Sequence, residues 1–214
     1  HYQFRYDWFR ATSNTTAAFA VPTSTLTNVL SVGYEYRRRG YSLQGSATYH
    51  QRSSWREWGA EGDYDPKHRD YWKYQANLSK EFFAGLHTLR LNLGYFGGRD
   101  LDRFSSYQFG MYDETRIHGV PAAGVRFPEL AMLRGQYSFN LLEMYRLDLF
   151  VEQALGRDRD PGTRWRSLTG LGLGFNLHGP FRTLVRGEVG KSFLPSLYSG
   201  AGSWNAQIMF LRPL

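Results

Sequence analysis

The chain has 214 residues, with 26 Lys+Arg against 19 Asp+Glu, a formal net charge of +7. Aromatic residues make up 17% of it, charged residues 21%, and there is no Cys. The aromatic content excludes a disordered chain, the lack of Cys excludes a disulfide scaffold and a thiolate-held zinc or iron–sulfur centre, and no apolar run approaches the ~18 residues that one membrane helix needs. The length suits a single domain. The basic residues are scattered rather than gathered in a stripe, which points away from a nucleic-acid partner. The chain opens at His1 without a leader segment, so it reads as a processed protein or a piece of a longer one.

Taken in chain order, the sequence alternates with a period of two, the pleat of a strand. Tyr2, Phe4, Tyr6 and Trp8 fall on one face and Gln3, Arg5 and Asp7 on the other. Leu30, Val32, Tyr34 and Tyr36 oppose Ser31, Gly33, Glu35 and Arg37. Tyr41, Leu43, Ala47 and Tyr49 oppose Ser42, Gln44, Ser46, Thr48 and His50. Trp72, Tyr74, Ala76 and Leu78 oppose Lys73, Gln75, Asn77 and Ser79, and Leu89, Leu91, Leu93 and Tyr95 oppose Arg90, Asn92 and Gly94. After a long irregular stretch the pattern resumes near Leu130. Leu147, Leu149 and Val151 oppose Arg146, Asp148 and Glu152, and Leu171, Leu173, Phe175 and Leu177 oppose Gly170, Gly172, Gly174 and Asn176. Val185 and Val189 oppose Arg186 and Glu188, and Trp204, Ala206, Ile208 and Phe210 oppose Asn205 and Gln207. This predicts about ten strands, most of about ten residues or more, where the mean strand has about 5–6.

The connections alternate in length. Arg38-Arg39-Gly40, Phe83-Ala84-Gly85, Leu142-Glu143-Met144 and His178-Gly179-Pro180 are short turns. Between them lie long polar stretches: Ala11 to Thr25, Ser53 to Arg69, Gly97 to Pro128, Gly156 to Arg164 and Leu194 to Gly202. Alternating short and long connections between long strands are the pattern of an antiparallel outer-membrane barrel, with tight periplasmic turns and extended outer loops. Aromatic residues near strand ends (Tyr2, Trp8, Tyr41, Tyr49, Trp72, Trp204) fit interfacial girdles. The expected fold is therefore all-β, a single transmembrane β-barrel domain over 1–214 with about ten strands. An even strand count would place both termini in the periplasm of a Gram-negative-type bacterium. Outer-membrane lipids would surround the barrel.

The second half resembles the C-terminal barrel of the BamA/TamA-type bacterial surface-antigen superfamily. Arg116-Ile117-His118-Gly119, in the longest loop, resembles that family's Val-Arg-Gly-aromatic motif, which folds back into the barrel lumen. Leu149-Phe150-Val151-Glu152-Gln153-Ala154 resembles the strand usually read as Phe-Val-Asp-Ala-Gly. Thr169-Gly170-Leu171-Gly172-Leu173-Gly174-Phe175 is similar to the Gly-rich strand that follows it, and Gly179-Pro180-Phe181-Arg182-Thr183-Leu184-Val185-Arg186 to the hairpin entering the penultimate strand. Five predicted strands follow the Arg116 loop, as in the family. Three features depart from its pattern: Ile117 and His118 stand between Arg116 and Gly119, Gln136 lies about where the family often has Glu, and the chain ends Phe210-Leu211-Arg212-Pro213-Leu214 without a terminal aromatic residue. The resemblance implies insertion, assembly or translocation of proteins at the outer membrane, with client proteins as partners. It also implies a sixteen-strand barrel behind periplasmic domains, so this chain is expected to be a C-terminal piece of one or a shortened relative, with upstream strands or a second chain completing it.

The resemblance also suggests roles for particular residues. Arg116 buried in a lumen needs a carboxylate in planar geometry. Glu152 is its expected partner and Asp148 the reserve, the pair pinning the loop, with Gly119 in the motif. Gly170, Gly172 and Gly174 would leave room for the loop backbone. The last strand, with Trp204, Ile208 and Phe210, would form a weak lateral seam whose edge pairs with a client strand.

Other features carry weaker signals. Asp63, Asp65, Asp70 and His68 could bind a divalent ion, but Lys67 and Arg69 neutralise that loop; Arg157-Asp158-Arg159-Asp160 reads as a solvated loop tip. His50 with Asp63, Asp65 or Asp70, and His118 with Glu114 or Asp113, are the conceivable acid–His pairs, yet no Gly-x-Ser-x-Gly elbow occurs. No catalytic residue, cofactor or metal is expected. Arg37-Arg38-Arg39 reads as a charged turn that could touch lipid phosphates or a partner. The alternatives to an insertase are a membrane anchor or accessory barrel, and a passive pore whose narrow lumen would be largely filled by inward Arg, Glu and Gln.

Overall fold

A computed structural model describes residues 1–60, 63–65, 68–109, 115–120, 126–141, 144–157, 165–179, 183–193 and 203–211. The chain is all-β: β1 (Tyr2–Asp7), β2 (Thr25–Arg38), β3 (Tyr41–Arg52), β4 (Trp58–Ala60), β5 (Asp63–Asp65), β6 (Asp70–Ala84), β7 (His87–Arg99), β8 (Tyr107–Gln108), β9 (Arg126–Phe127), β10 (Glu129–Leu141), β11 (Tyr145–Arg157), β12 (Trp165–His178), β13 (Leu184–Phe193) and β14 (Trp204–Leu211). Ten of them form one sheet in the order β1-β2-β3-β6-β7-β10-β11-β12-β13-β14. Each strand pairs antiparallel with its neighbour in that order. The period-two segments are all strands, and β2, β6 and β7 run longer than the alternation indicates because residues beyond it at their ends still pair. Two of the stretches read as irregular contain short ladders, β4 with β5 and β8 with β9.

Register turns the alternation into rows. Phe82, Leu89, Tyr137, Leu149, Leu173 and Val189 are successive cross-strand partners from β6 to β13. Leu43, Leu78, Leu93 and Leu133 form a second row from β3 to β10. Every member of both rows is exposed. In water, apolar surface costs about 25 cal/mol per Å² left unburied, and a soluble monomer rarely carries a contiguous patch beyond a few hundred Å². This face is apolar across at least seven adjacent strands.

The opposite face is polar and largely enclosed. Its middle rows carry Gln75, Asn77, Asn92, Arg134, Glu152 and Glu188, and its rows nearest the long loops are apolar. There Phe96, Phe109, Ile117, Val120, Phe127, Leu130, Met132, Ala154 and Leu168 form the buried core. Four of these nine, Phe109, Ile117, Val120 and Phe127, come from the β7–β10 connection, so this core is a loop packed on a sheet. The sheet curls around it, so that one loop meets Arg134 of β10, Glu152 of β11, Glu188 of β13 and Asn205 of β14.

The expected closure of ten strands into one barrel does not occur. Among the described residues β1 and β14 have no ladder to each other, so both are edges. Over β1 and the second half of β2 both faces are exposed, including the inward Arg5, Gly33, Glu35 and Arg37. The inward face is therefore covered on the β7–β14 side and open on the β1–β2 side. Ten strands account for the sheet, and among the described residues no strand other than β2 pairs with β1.

Candidate functional site: a loop docked on the inward face

The β7–β10 connection is held at its root and at its tip. At the root, the Arg52 guanidinium at the end of β3 meets Asp102 at 2.5 Å, with side-chain exposures of 4% and 0%. Such a pair survives burial only when its remaining donors and acceptors are occupied. Arg52 lies 3.6 Å from the Trp55 ring centre and 4.6 Å from that of Tyr71, geometry that favours a flat, weakly hydrated cation. The other Asp102 oxygen accepts from the Ser105 amide at 2.8 Å and the Ser105 hydroxyl at 2.9 Å. Ser106 Oγ donates to the Asp102 carbonyl at 2.7 Å. This folds the start of the loop into a closed turn.

At the tip, Arg116 enters from the loop and pairs with Glu188 of β13. This corrects the expected Arg116–Glu152 pair. Glu152 is already occupied: Arg134 Nε of β10 donates to one oxygen at 2.8 Å, and the His118 amide donates to the other at 2.5 Å. Arg134 also donates to the Arg116 carbonyl. Arg116 thus makes no direct ion pair with Glu152, and its own charge goes two strands further along the sheet. Asp148 is not a reserve partner either. It accepts from Ser138 at 2.5 Å, Gln136 at 3.1 Å, Arg146 at 2.7 Å and Asn176 at 2.9 Å, a separate network nearer the short turns. Glu188 completes the tip by accepting from Arg186 at 2.6 Å and Gln207 at 3.1 Å.

His118 sits at the centre of the tip. Its ring stacks on Phe150 with centroids 4.3 Å apart. Nδ1 is 3.0 Å from Glu152 and Nε2 3.5 Å from Glu188, at angles too poor for hydrogen bonds, so the contact is Coulombic. Burial disfavours charge on the ring, but the two carboxylates outweigh it and raise the His118 pKa above its ordinary value. The expected acid partners of His118, Asp113 and Glu114, lie outside the described residues.

Two of the three glycines of β12 lie against the loop. A Cβ on Gly170 would stand 2.5 Å from Ile117 and 2.9 Å from the His118 carbonyl, and one on Gly172 would stand 2.4 Å from the His118 ring. Gly174 does not face the loop; its neighbours are Phe150, Glu188 and Asp148. Gly190 of β13 belongs to the cradle in its place, since a Cβ there would lie 2.6 Å from His118 Cβ and 2.8 Å from the Gly119 amide. Gly119 itself has φ +80 and would put a Cβ 2.0 Å from the Ser192 amide. Its conformation and its contact with strand backbone both require glycine. The Gly119 amide donates to Asn205 Oδ1 of β14 at 3.0 Å, and its carbonyl accepts from the Ser192 and Ser203 hydroxyls.

Sequence reasoning missed Arg134, Glu188, Gly190, Asn205 and the Arg52–Asp102 pair. Parity did place Glu188 inward, but it also placed Asp148 and Glu152 there and could not rank the three. Arg52 and Asp102 are 50 residues apart, and nothing local couples them. His50 is buried against the Tyr71 ring, 4.4 Å away. Asp70 is on the exposed side of that strand end; the side chains of Asp63 and Asp65, like residues 158–160 of the Arg157–Asp160 tip, lie outside the described residues. Trp204, Ile208 and Phe210 are 68%, 66% and 79% exposed on the apolar face of the edge strand β14.

The fold and the site together define a class: an all-β protein with one curled ten-stranded antiparallel sheet and a long loop locked onto its polar face. No family model matches the chain, and no curated protein does.

Proposed function

We propose that this chain is an outer-membrane β-barrel protein of the surface-antigen type, acting in the insertion, assembly or translocation of proteins at the outer membrane. The observation that carries the reading is the pair of exposed apolar rows running in register across the sheet, backed by an inward face of Arg, Glu, Asn and Gln. That inversion suits lipid outside and polar groups within. The unpaired edges β1 and β14 support completion by further strands or a second chain, with Trp204, Ile208 and Phe210 on the seam strand. The locked Arg116–Gly119 loop supports the surface-antigen likeness, since a loop held inside is what that resemblance implies. Both termini then face the periplasm with the short turns.

A second reading, a membrane anchor or accessory barrel, is favoured over a pore by the apolar loop cluster that fills the long-loop end. Such a plug narrows the long-loop end on the β7–β14 side. Reconstitution into lipid vesicles tests both. The protein should float with the vesicles and accelerate insertion of an unfolded client barrel. Flotation without acceleration would leave the anchor, single-channel conductance would leave the pore, and failure to float would end the membrane reading.

A further inference from the structure

The open half of the inward face holds a continuous trough. A cavity of about 510 Å³ at the short-turn end shares Gln44 and Asn77 with a second of about 330 Å³. That one shares Ser46 and Gln75 with a third of about 290 Å³, which shares Lys73 and Tyr107 with a fourth of about 510 Å³ at the foot of the docked loop. The floor is built from direct cross-strand pairs of β3 and β6: Ser42 with Ser79, Gln44 with Asn77, Ser46 with Gln75, and Thr48 with Lys73. From Ser42 to His50 it runs eight residue rises, about 27 Å.

Charge is uneven along it. The carboxylates on the trough, Glu35 and Glu81, are already matched by Arg37 and Arg90. Arg38 and Arg39 at one end, and Lys73 and Arg126 at the other, form no ion pair among the described residues. The middle is neutral hydroxyl and amide.

We infer that the trough binds an extended, carboxylate-bearing polypeptide segment. Its side-chain rungs repeat about every 6.7 Å, the two-residue repeat of an extended chain, and the Gln44 and Gln75 amides can each donate to and accept from a peptide backbone. Guanidinium groups at the turn end suit carboxylates in bidentate geometry. A free anion would satisfy the charges but not the repeat. This inference rests on the proposed function insofar as the polar face is the barrel interior, and it names the class of polypeptide that interior accommodates.

The test uses the purified full chain in detergent and three fluorescein-labelled peptides of about ten residues: alternating Glu and Ser, Gln and Ser, and Lys and Ser. Anisotropy should report binding of the acidic peptide alone. Affinity should fall at least about tenfold in Arg38→Gln/Arg39→Gln and in Lys73→Gln/Arg126→Gln, with unchanged circular dichroism. Because the chain has no Cys, Gln75→Cys labelled with bimane provides a second readout. A Trp-tagged acidic peptide should quench it and leave Leu93→Cys, on the apolar face, unquenched. Equal binding of the neutral peptide, full affinity in both double variants, quenching at neither or at both positions, or displacement by inorganic phosphate at equal charge would each overturn the inference. Vesicle flotation separates the two readings. A protein that floats but ignores the acidic peptide refutes the trough alone, and one that does not float refutes the membrane setting.

Discussion

At the residue scale, the tip of the loop is an arrangement of three arginines, two glutamates and one histidine that share partners. In a buried network of this kind, removing one member leaves another uncompensated. A double-mutant cycle on Arg116→Ala and Glu188→Ala, read by urea unfolding, should give a coupling of about 1–3 kcal/mol. The Arg116→Ala and Glu152→Ala cycle should give a smaller one, because that pair is connected only indirectly, through Arg134 and through His118 with Glu188. His118 adds a pH dependence whose sign follows from its raised folded-state pKa. Its protonated ring stabilises docking fully below the unfolded value of about 6.5, and that stabilisation is lost as pH rises through the higher folded value. Unfolding midpoints should therefore fall between mildly acidic and mildly alkaline pH, and His118→Phe should flatten the dependence.

At the scale of elements, the loop, β12 and β13 fit because three glycines meet one histidine. Gly172→Val or Gly190→Val should displace the loop and open it to limited proteolysis, since the neighbouring atoms are ring and backbone at under 3 Å from the added Cβ. Gly135→Ala should leave the cleavage pattern unchanged, as its Cβ would find only Leu91 and the Val151 carbonyl at 3.8 Å. The root of the loop is held by a different means. Arg52→Met would strand a fully buried carboxylate and should cost about 3–5 kcal/mol in the same unfolding measurement. The two anchors hold the loop to different strands, Arg52 of β3 at the root and Glu188 of β13 at the tip, so losing either should loosen the loop without unpairing the sheet.

At the scale of the whole molecule, the two faces of the sheet place opposite demands on solvent. Leu149 is 51% exposed in the middle of the longest apolar row. In a lipid setting Leu149→Arg should destabilise the protein by about 2–4 kcal/mol near the bilayer midplane. In water the same change at an exposed strand position should be close to neutral. Urea titration of the vesicle-bound protein measures the difference. The inward face is half covered: the docked loop lies over the long-loop end of β7–β14, and among the described residues nothing lies over the inward face of β1 and the second half of β2.

Local patterning alone determined the strands, their antiparallel order, the short and long connections and the face on which each side chain lies. A period of two is a property of neighbouring residues, and antiparallel neighbours follow from the turns. Arg116, Gly119, Gly170 and Gly172 entered as loop positions only through a likeness of motifs, which patterning by itself does not supply. Which carboxylate meets Arg116 was decided only in three dimensions. Asp148, Glu152 and Glu188 share a parity, and the choice depends on how far the loop reaches across strands that are distant in sequence. Arg52 with Asp102, the Gly190 contact and the unclosed edges belong to the same category. Each depends on curvature and register accumulated over the whole sheet, and no short window of residues records that sum.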